Sequence, residues 1–229
     1  MGIRGKTIVA ITADPLHGQV EIDAAGRVVA PGFIDLLSYS PNSYGVWYKL
    51  ADGVTTNLAM HGAPGTDGDM KAWYRRYERQ RPPLHFGGAF LYGAARTKLG
   101  VGDYRAATPT QLARLVTLFE RALEDGALGI SMSLEYAPGI SDDEVEAMLR
   151  VAQRNHVPVF FHVRYSSMEP PGTNLDALRE VLSLARRTGA AVHIEHITST
   201  GGTHSMVESL SLLQAAREEG VDVTADAYP

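Results

Sequence analysis

The sequence predicts an α/β fold of the (β/α)8-barrel type, incomplete, with about seven barrel strands behind a short β-rich segment. Three observations predict it. Strand-like and helix-like segments alternate from Phe33 onward. The strands are apolar along their length rather than alternating, as parallel strands buried on both faces are. The helical segments carry start signals that fall between the strands.

The first segment, residues 1–31, reads as the remnant of a small β-sandwich domain. Lys6–Ile11 and Gly18–Val29 look like short strands flanking a turn at Asp14-Pro15. Residues 32–229 read as the barrel. Pro31-Gly32 leads into a first core strand at Phe33–Leu37. Further strands are expected at Val54–Met60, Leu84–Leu91, Ala127–Ser133, Val157–Val163, Ala191–Ile197 and Val221–Ala227. Thr108-Pro109-Thr110-Gln111 joins an N-cap, a first-turn proline and a reciprocal Gln. Ser141-Asp142-Asp143-Glu144 and Ser205-Met206-Val207-Glu208 read as capping boxes. Leu175–Arg187 repeats apolar residues every three or four positions and should stop at Gly189. A closed barrel of this kind has eight strands. The sequence ends at Tyr228-Pro229, just after a strand, so it reads as truncated at both ends and lacking the last strand. An open barrel leaves a sheet edge, which homo-oligomerisation can cover.

Composition narrows the function classes. A net charge of −5 with no Lys/Arg cluster gives no footprint for nucleic acid. No apolar run reaches the roughly 20 residues needed to span a bilayer. Cysteine is absent, which excludes disulfides and thiolate ligands. A metal site must therefore use His, Asp, Glu or a modified Lys. A cytoplasmic protein acting on a small molecule is the default expectation.

Active sites of such barrels lie at the C-terminal ends of the strands. His61, His162 and His196 end the second, fifth and sixth core strands. Taken singly, each is a candidate structural histidine. Taken together, three imidazoles on one rim can share a Zn²⁺ ion. Arg164, two residues after His162, is suited either to clamping a carboxylate of a substrate or to bridging a neighbouring loop. His193 is an odd number of residues from His196, so on a regular strand it faces the helix layer. His17, His156 and His204 read as solvated, His85 as structural, Asp222 as surface, and Asp35 as a support for the rim. Asp226 fits either an inward polar position or loop support.

Several of these segments resemble one family. Gly26-Arg27-Val28-Val29-Ala30-Pro31-Gly32-Phe33-Ile34-Asp35 resembles the entry to the first barrel strand of the amidohydrolase superfamily. Gly53-Val54-Thr55-Thr56, Gly126–Ser131, Tyr136-Ala137-Pro138-Gly139, His162-Val163-Arg164 and Asp222–Pro229 occur in the order found in its N-acyl-D-amino-acid deacylase branch. The resemblance implies a barrel beside a small β-sandwich and a zinc-dependent, cytoplasmic bacterial hydrolase of carbon–nitrogen bonds. It also implies departures. The family's His-x-His metal pair falls on Leu37 and Tyr39, so one of two metal positions looks lost. A family cysteine ligand falls on His61, and the strand-five and strand-six ligands fall on His162 and His196. A family lysine falls on Thr198. The catalytic aspartate would lie beyond Pro229.

The leading expectation is a one-zinc hydrolase of linear amides. The alternatives are a catalytically impaired relative that binds a ligand, a single-metal isomerase or cyclase, and a truncated product that does not fold stably.

Overall fold

The computed structural model describes residues 1–63 and 69–228. Pro229, the last residue of the strand-end motif, lies outside the described residues. The chain divides into two compact units, Met1–Pro31 and Gly32–Pro229.

In the first unit, β1 (Gly2–Arg4) pairs antiparallel with β2 (Thr7–Ala10) through a turn at Gly5, whose φ of 61° suits glycine. The strand expected over Gly18–Val29 does not form. Residues 11–32 hold no regular element, and Val20, Ile22 and Val28 are exposed at 80%, 88% and 91%. Their β propensity has no cross-strand partner or covering face to act on.

The second unit runs β3 (Phe33–Asp35), α1 (Gly45–Ala51), β4 (Val54–Ala59), α2 (Met70–Gln80), β5 (His85–Gly88), β6 (Phe90–Leu91), α3 (Tyr92–Lys98), α4 (Pro109–Glu124), β7 (Ile130–Ser133), α5 (Asp142–Arg154), β8 (Val159–His162), α6 (Asn174–Thr188), β9 (Val192–Ile194), α7 (Met206–Glu218) and β10 (Val223–Ala225). All its strand pairs are parallel, in the sheet orders β3-β4-β5 and β10-β9-β8-β7-β6. Within each sheet every strand neighbours the next in sequence, as in singly wound β/α proteins. The expected strand Leu84–Leu91 is broken at Ala89. Its first half pairs with β4, its second with β7. Ala89 donates to the Ala59 carbonyl and Phe90 to that of Gly129. The preceding glycines permit this close approach: a Cβ at Gly87 would lie 2.6 Å from Leu128 Cδ1.

Capping explains where the helices start. Thr108 and Gln111 cap α4 reciprocally, Ser141 and Glu144 cap α5, and Thr173 and Asp176 cap α6. The box expected at Ser205 does not form. Ser205 is buried, and its hydroxyl donates instead to Asn174 Oδ1 at 3.1 Å. Asn174 Nδ2 in turn donates to the Thr203 carbonyl at 2.7 Å, so these side chains pin the long turn between β9 and α7.

The main core lies between strands and helices and includes Val159, Phe161, Val192 and Ile194. A smaller cluster of Met60, Ala89 and Phe160 fills the opposite strand face. His162 shares the parity of Phe160 and so continues that inner face at the strand's C-terminal end.

Candidate metal centre

His61 follows β4, His162 closes β8 and His196 sits in the turn after β9. The fold brings the three imidazoles together. Their ring centroids are 4.7 Å (His162–His196), 5.6 Å (His61–His196) and 6.4 Å (His61–His162) apart. They line a cavity of about 690 Å³ with Leu37, Tyr39, Glu135, Tyr136, Ser166, Ser199, Thr200 and Tyr228. Tyr39 meets His61 edge-on at 5.2 Å, and the Tyr136 ring lies 4.5 Å from that of His162.

Glu195, absent from the sequence-based candidates, enters the cluster. Its Oε2 lies 2.9 Å from His61 Nδ1. Donor atoms of His61, Glu195 and His196 all lie within 4.8 Å of one another. His162 joins through His196, Nδ1 to Nε2, at 3.1 Å. Two ligands on one tetrahedral zinc, with bonds near 2.0–2.1 Å, sit about 3.3 Å apart. Both close pairs are near that spacing; the mutually close donors are those of His61, Glu195 and His196, with His162 adjoining them through His196.

The surrounding carboxylates fix the ring orientations. Glu135 Oε2 lies 2.7 Å from His162 Nε2, and its Oε1 accepts from the Ser166 hydroxyl at 2.6 Å. Asp226 Oδ2 lies 2.9 Å from His193 Nε2, and its Oδ1 accepts the backbone N–H of His196. That bond secures an unusual backbone: His196 has φ +35°, a left-handed conformation costing a non-glycine residue about 1–2 kcal/mol. The hydrogen bond with Glu195 raises the pKa of His61 above its ordinary value against its burial. Burial, then the charge of His162, lowers that of His196.

One sequence expectation changes here, and two positions left open by the sequence take one of their alternatives. His193 does not face the helix layer. Its ring lies 4.8 Å from Phe160, on the inner face, and bonds Thr224 and Asp226. The parity argument assumed a strand extending to His196, but β9 ends at Ile194 and the chain turns at Glu195. Arg164 does not face the cavity. Its guanidinium holds Glu180 through Nε and Nη2 at 2.7–3.1 Å and donates to the carbonyls of Pro138 and Ile140. It ties the loop before α5 to α6, the bridging role. Asp226 is a support for the His196 turn. Asp35 pairs with Lys49 at 2.7 Å. Leu37 and Tyr39, at the family's His-x-His positions, line the cavity with carbon and phenol rather than imidazole.

Parallel β/α strands with a histidine–carboxylate cluster at their C-terminal ends define an α/β protein with a candidate metal centre. No family model matches the chain. The N-acyl-D-glutamate deacylase of Alcaligenes xylosoxydans xylosoxydans is 30% identical over the whole chain, which covers 52% of that relative. The D-aminoacylase of the same organism is 28% identical over the whole chain, covering 53% of that protein. A solved N-acyl-D-glutamate deacylase from Bordetella bronchiseptica, complexed with zinc and a phosphonate inhibitor, superposes with a TM-score of 0.76 at 26% identity. That match covers 90% of this chain and 49% of the solved one. The chain is therefore similar over its whole length to N-acyl-D-glutamate deacylase and D-aminoacylase, and it spans about half the length of these relatives. Among the described residues, no helix is long and apolar enough to cross a membrane.

Proposed function

We propose that the protein is a metal-dependent hydrolase of carbon–nitrogen bonds in small linear amides, deacylase-like, with His61, His162 and His196 holding one Zn²⁺. The observation that carries this reading is the meeting of three strand-end imidazoles over one cavity. The names of the chain's relatives support the reaction class. A zinc ion so held supplies Lewis acidity, polarising a carbonyl and bringing the pKa of a water to about 7.

The chain's own residues prepare the site. Glu135 orients His162 and Asp226 holds the His196 turn, as outer-shell carboxylates do around metal-ligand histidines. Tyr39, Tyr136 and Tyr228 wall the cavity with aromatic surface, while Ser166, Ser199 and Thr200 give it hydroxyl groups. A volume near 690 Å³ suits a small ligand. The Arg164–Glu180 pair favours the bridging role for that guanidinium over a substrate clamp.

Assay of zinc-loaded protein on N-acyl-D-glutamate and other N-acyl amino acids tests the proposal. Zinc-dependent hydrolysis that His162→Ala abolishes is expected. Saturable binding of the same compounds without turnover would replace it with the ligand-binding reading, which the Leu37 and Tyr39 cavity lining favours.

A further inference from the structure

Glu195 presents a problem that the three-histidine site leaves unsolved. Its side chain is fully buried. One oxygen meets His61 Nδ1 at 2.9 Å, but the other, Oε1, is buried with no hydrogen-bond partner. Buried carboxylates are ordinarily paired or coordinated, because an unsatisfied anionic oxygen forfeits its hydration without return. Among the described residues, the basic group bonded to Glu195 is a histidine, which is charged only when protonated. A second feature points the same way. Glu195 belongs to the group of donors, with His61 and His196, whose atoms lie within 4.8 Å of one another.

We propose that Glu195 is itself a metal ligand, making the centre a carboxylate–histidine cage rather than a neutral three-histidine site. This rests on the metal-centre reading above and extends it. A carboxylate in the ligand set places one negative charge against the dication and removes the isolation of a buried anionic side chain. The rival role is that of an outer hydrogen-bond acceptor that only orients His61. The two roles differ in what charge does. An orienting residue is replaced by glutamine with little loss, since the amide oxygen still accepts from His61. A ligand is not.

The experiment compares wild type, Glu195→Gln and Glu195→Asp by zinc affinity against a chelating dye and by the visible spectrum of the Co²⁺-loaded protein. Thermal unfolding of each metal-free protein accompanies these. A ligand role predicts that Glu195→Gln weakens zinc binding by more than about 100-fold, the upper range for outer-shell changes, and shifts the Co²⁺ bands. It also predicts that the metal-free Gln variant melts no lower than wild type, because a buried charge has been removed. Unchanged zinc affinity and Co²⁺ spectrum in Glu195→Gln would overturn the ligand role while leaving the histidine centre standing. Failure of wild type to bind Zn²⁺ or Co²⁺ at all would overturn both.

Discussion

Asp226 holds the His196 turn from outside the donor cluster, and Asp226→Asn measures what that support contributes. In the native protein its two carboxylate oxygens accept from two donors, the His196 N–H and His193 Nε2. An asparagine offers one oxygen and one NH₂ group. With the His193 proton on Nε2, one donor then faces another whichever way the amide is turned; relief requires moving that proton to Nδ1, against the Thr224 hydroxyl. The loss is one hydrogen bond to a charged acceptor, about 1.5–3 kcal/mol. The backbone of His196 at φ +35° adds a reason for the turn to relax, since a left-handed histidine costs about 1–2 kcal/mol that this bond helps to offset. If that energy appears as displacement of the His196 ring, zinc affinity falls by about 10- to 100-fold, at about 1.4 kcal/mol per factor of ten. Competition with a chelating dye at fixed pH reads the affinity, and circular dichroism at 222 nm confirms that the variant is folded. An Asn variant that is folded and binds zinc as wild type does would refute the argument that Asp226 positions His196.

Three further outcomes are expected. Glu144 is buried and accepts from Tyr92 Oη at 2.7 Å, from the Ala107 N–H at 2.9 Å and from Arg96. Burial pushes its pKa up, but these donors prevail and hold it below the ordinary carboxylate value. Its contribution is therefore present above the unfolded-state pKa near ~4.3 and lost as pH falls through the lower folded-state value. Glu144→Gln should cost about 3–5 kcal/mol at pH 7, with the gap from wild type in urea midpoint narrowing toward pH 3; a gap independent of pH would contradict this. Arg164→Met should lower stability by about 1.5–3 kcal/mol through loss of the Glu180 pair and leave zinc affinity unchanged. A raised KM for a carboxylate substrate with unchanged stability would instead restore Arg164 as a substrate clamp. The double variant Leu37→His, Tyr39→His should raise bound zinc per chain by a second equivalent in metal analysis, because both positions line the same cavity; unchanged stoichiometry would show that they cannot form a second site.

The parallel β/α order was legible because buried strands and their helix caps each leave a local trace. Thr108/Gln111 and Ser141/Glu144 formed the reciprocal caps their spacing announced. Ser205 did not, because a tertiary partner, Asn174, competes for its hydroxyl. Gly18–Val29 carries strand propensity, yet propensity alone supplies no partner strand. At the site, His61, His162 and His196 were legible from their strand-end positions. Glu195 and the inward face of His193 were not, because period-two reasoning fails where a strand ends in a turn. The strand stops at Ile194, so the alternation applied to His193 does not hold through Glu195 and His196. Arg164 was open between substrate clamp and loop bridge because its acceptors, from a helix and a loop distant in sequence, leave no local trace.

The central claim is that these side chains hold a single metal ion. Isothermal titration of metal-free protein with Zn²⁺, with wild type and His196→Ala side by side, tests it most directly. The account predicts one tight equivalent per chain in wild type and its loss in the variant. No binding in wild type, or equal binding in His196→Ala, would contradict it.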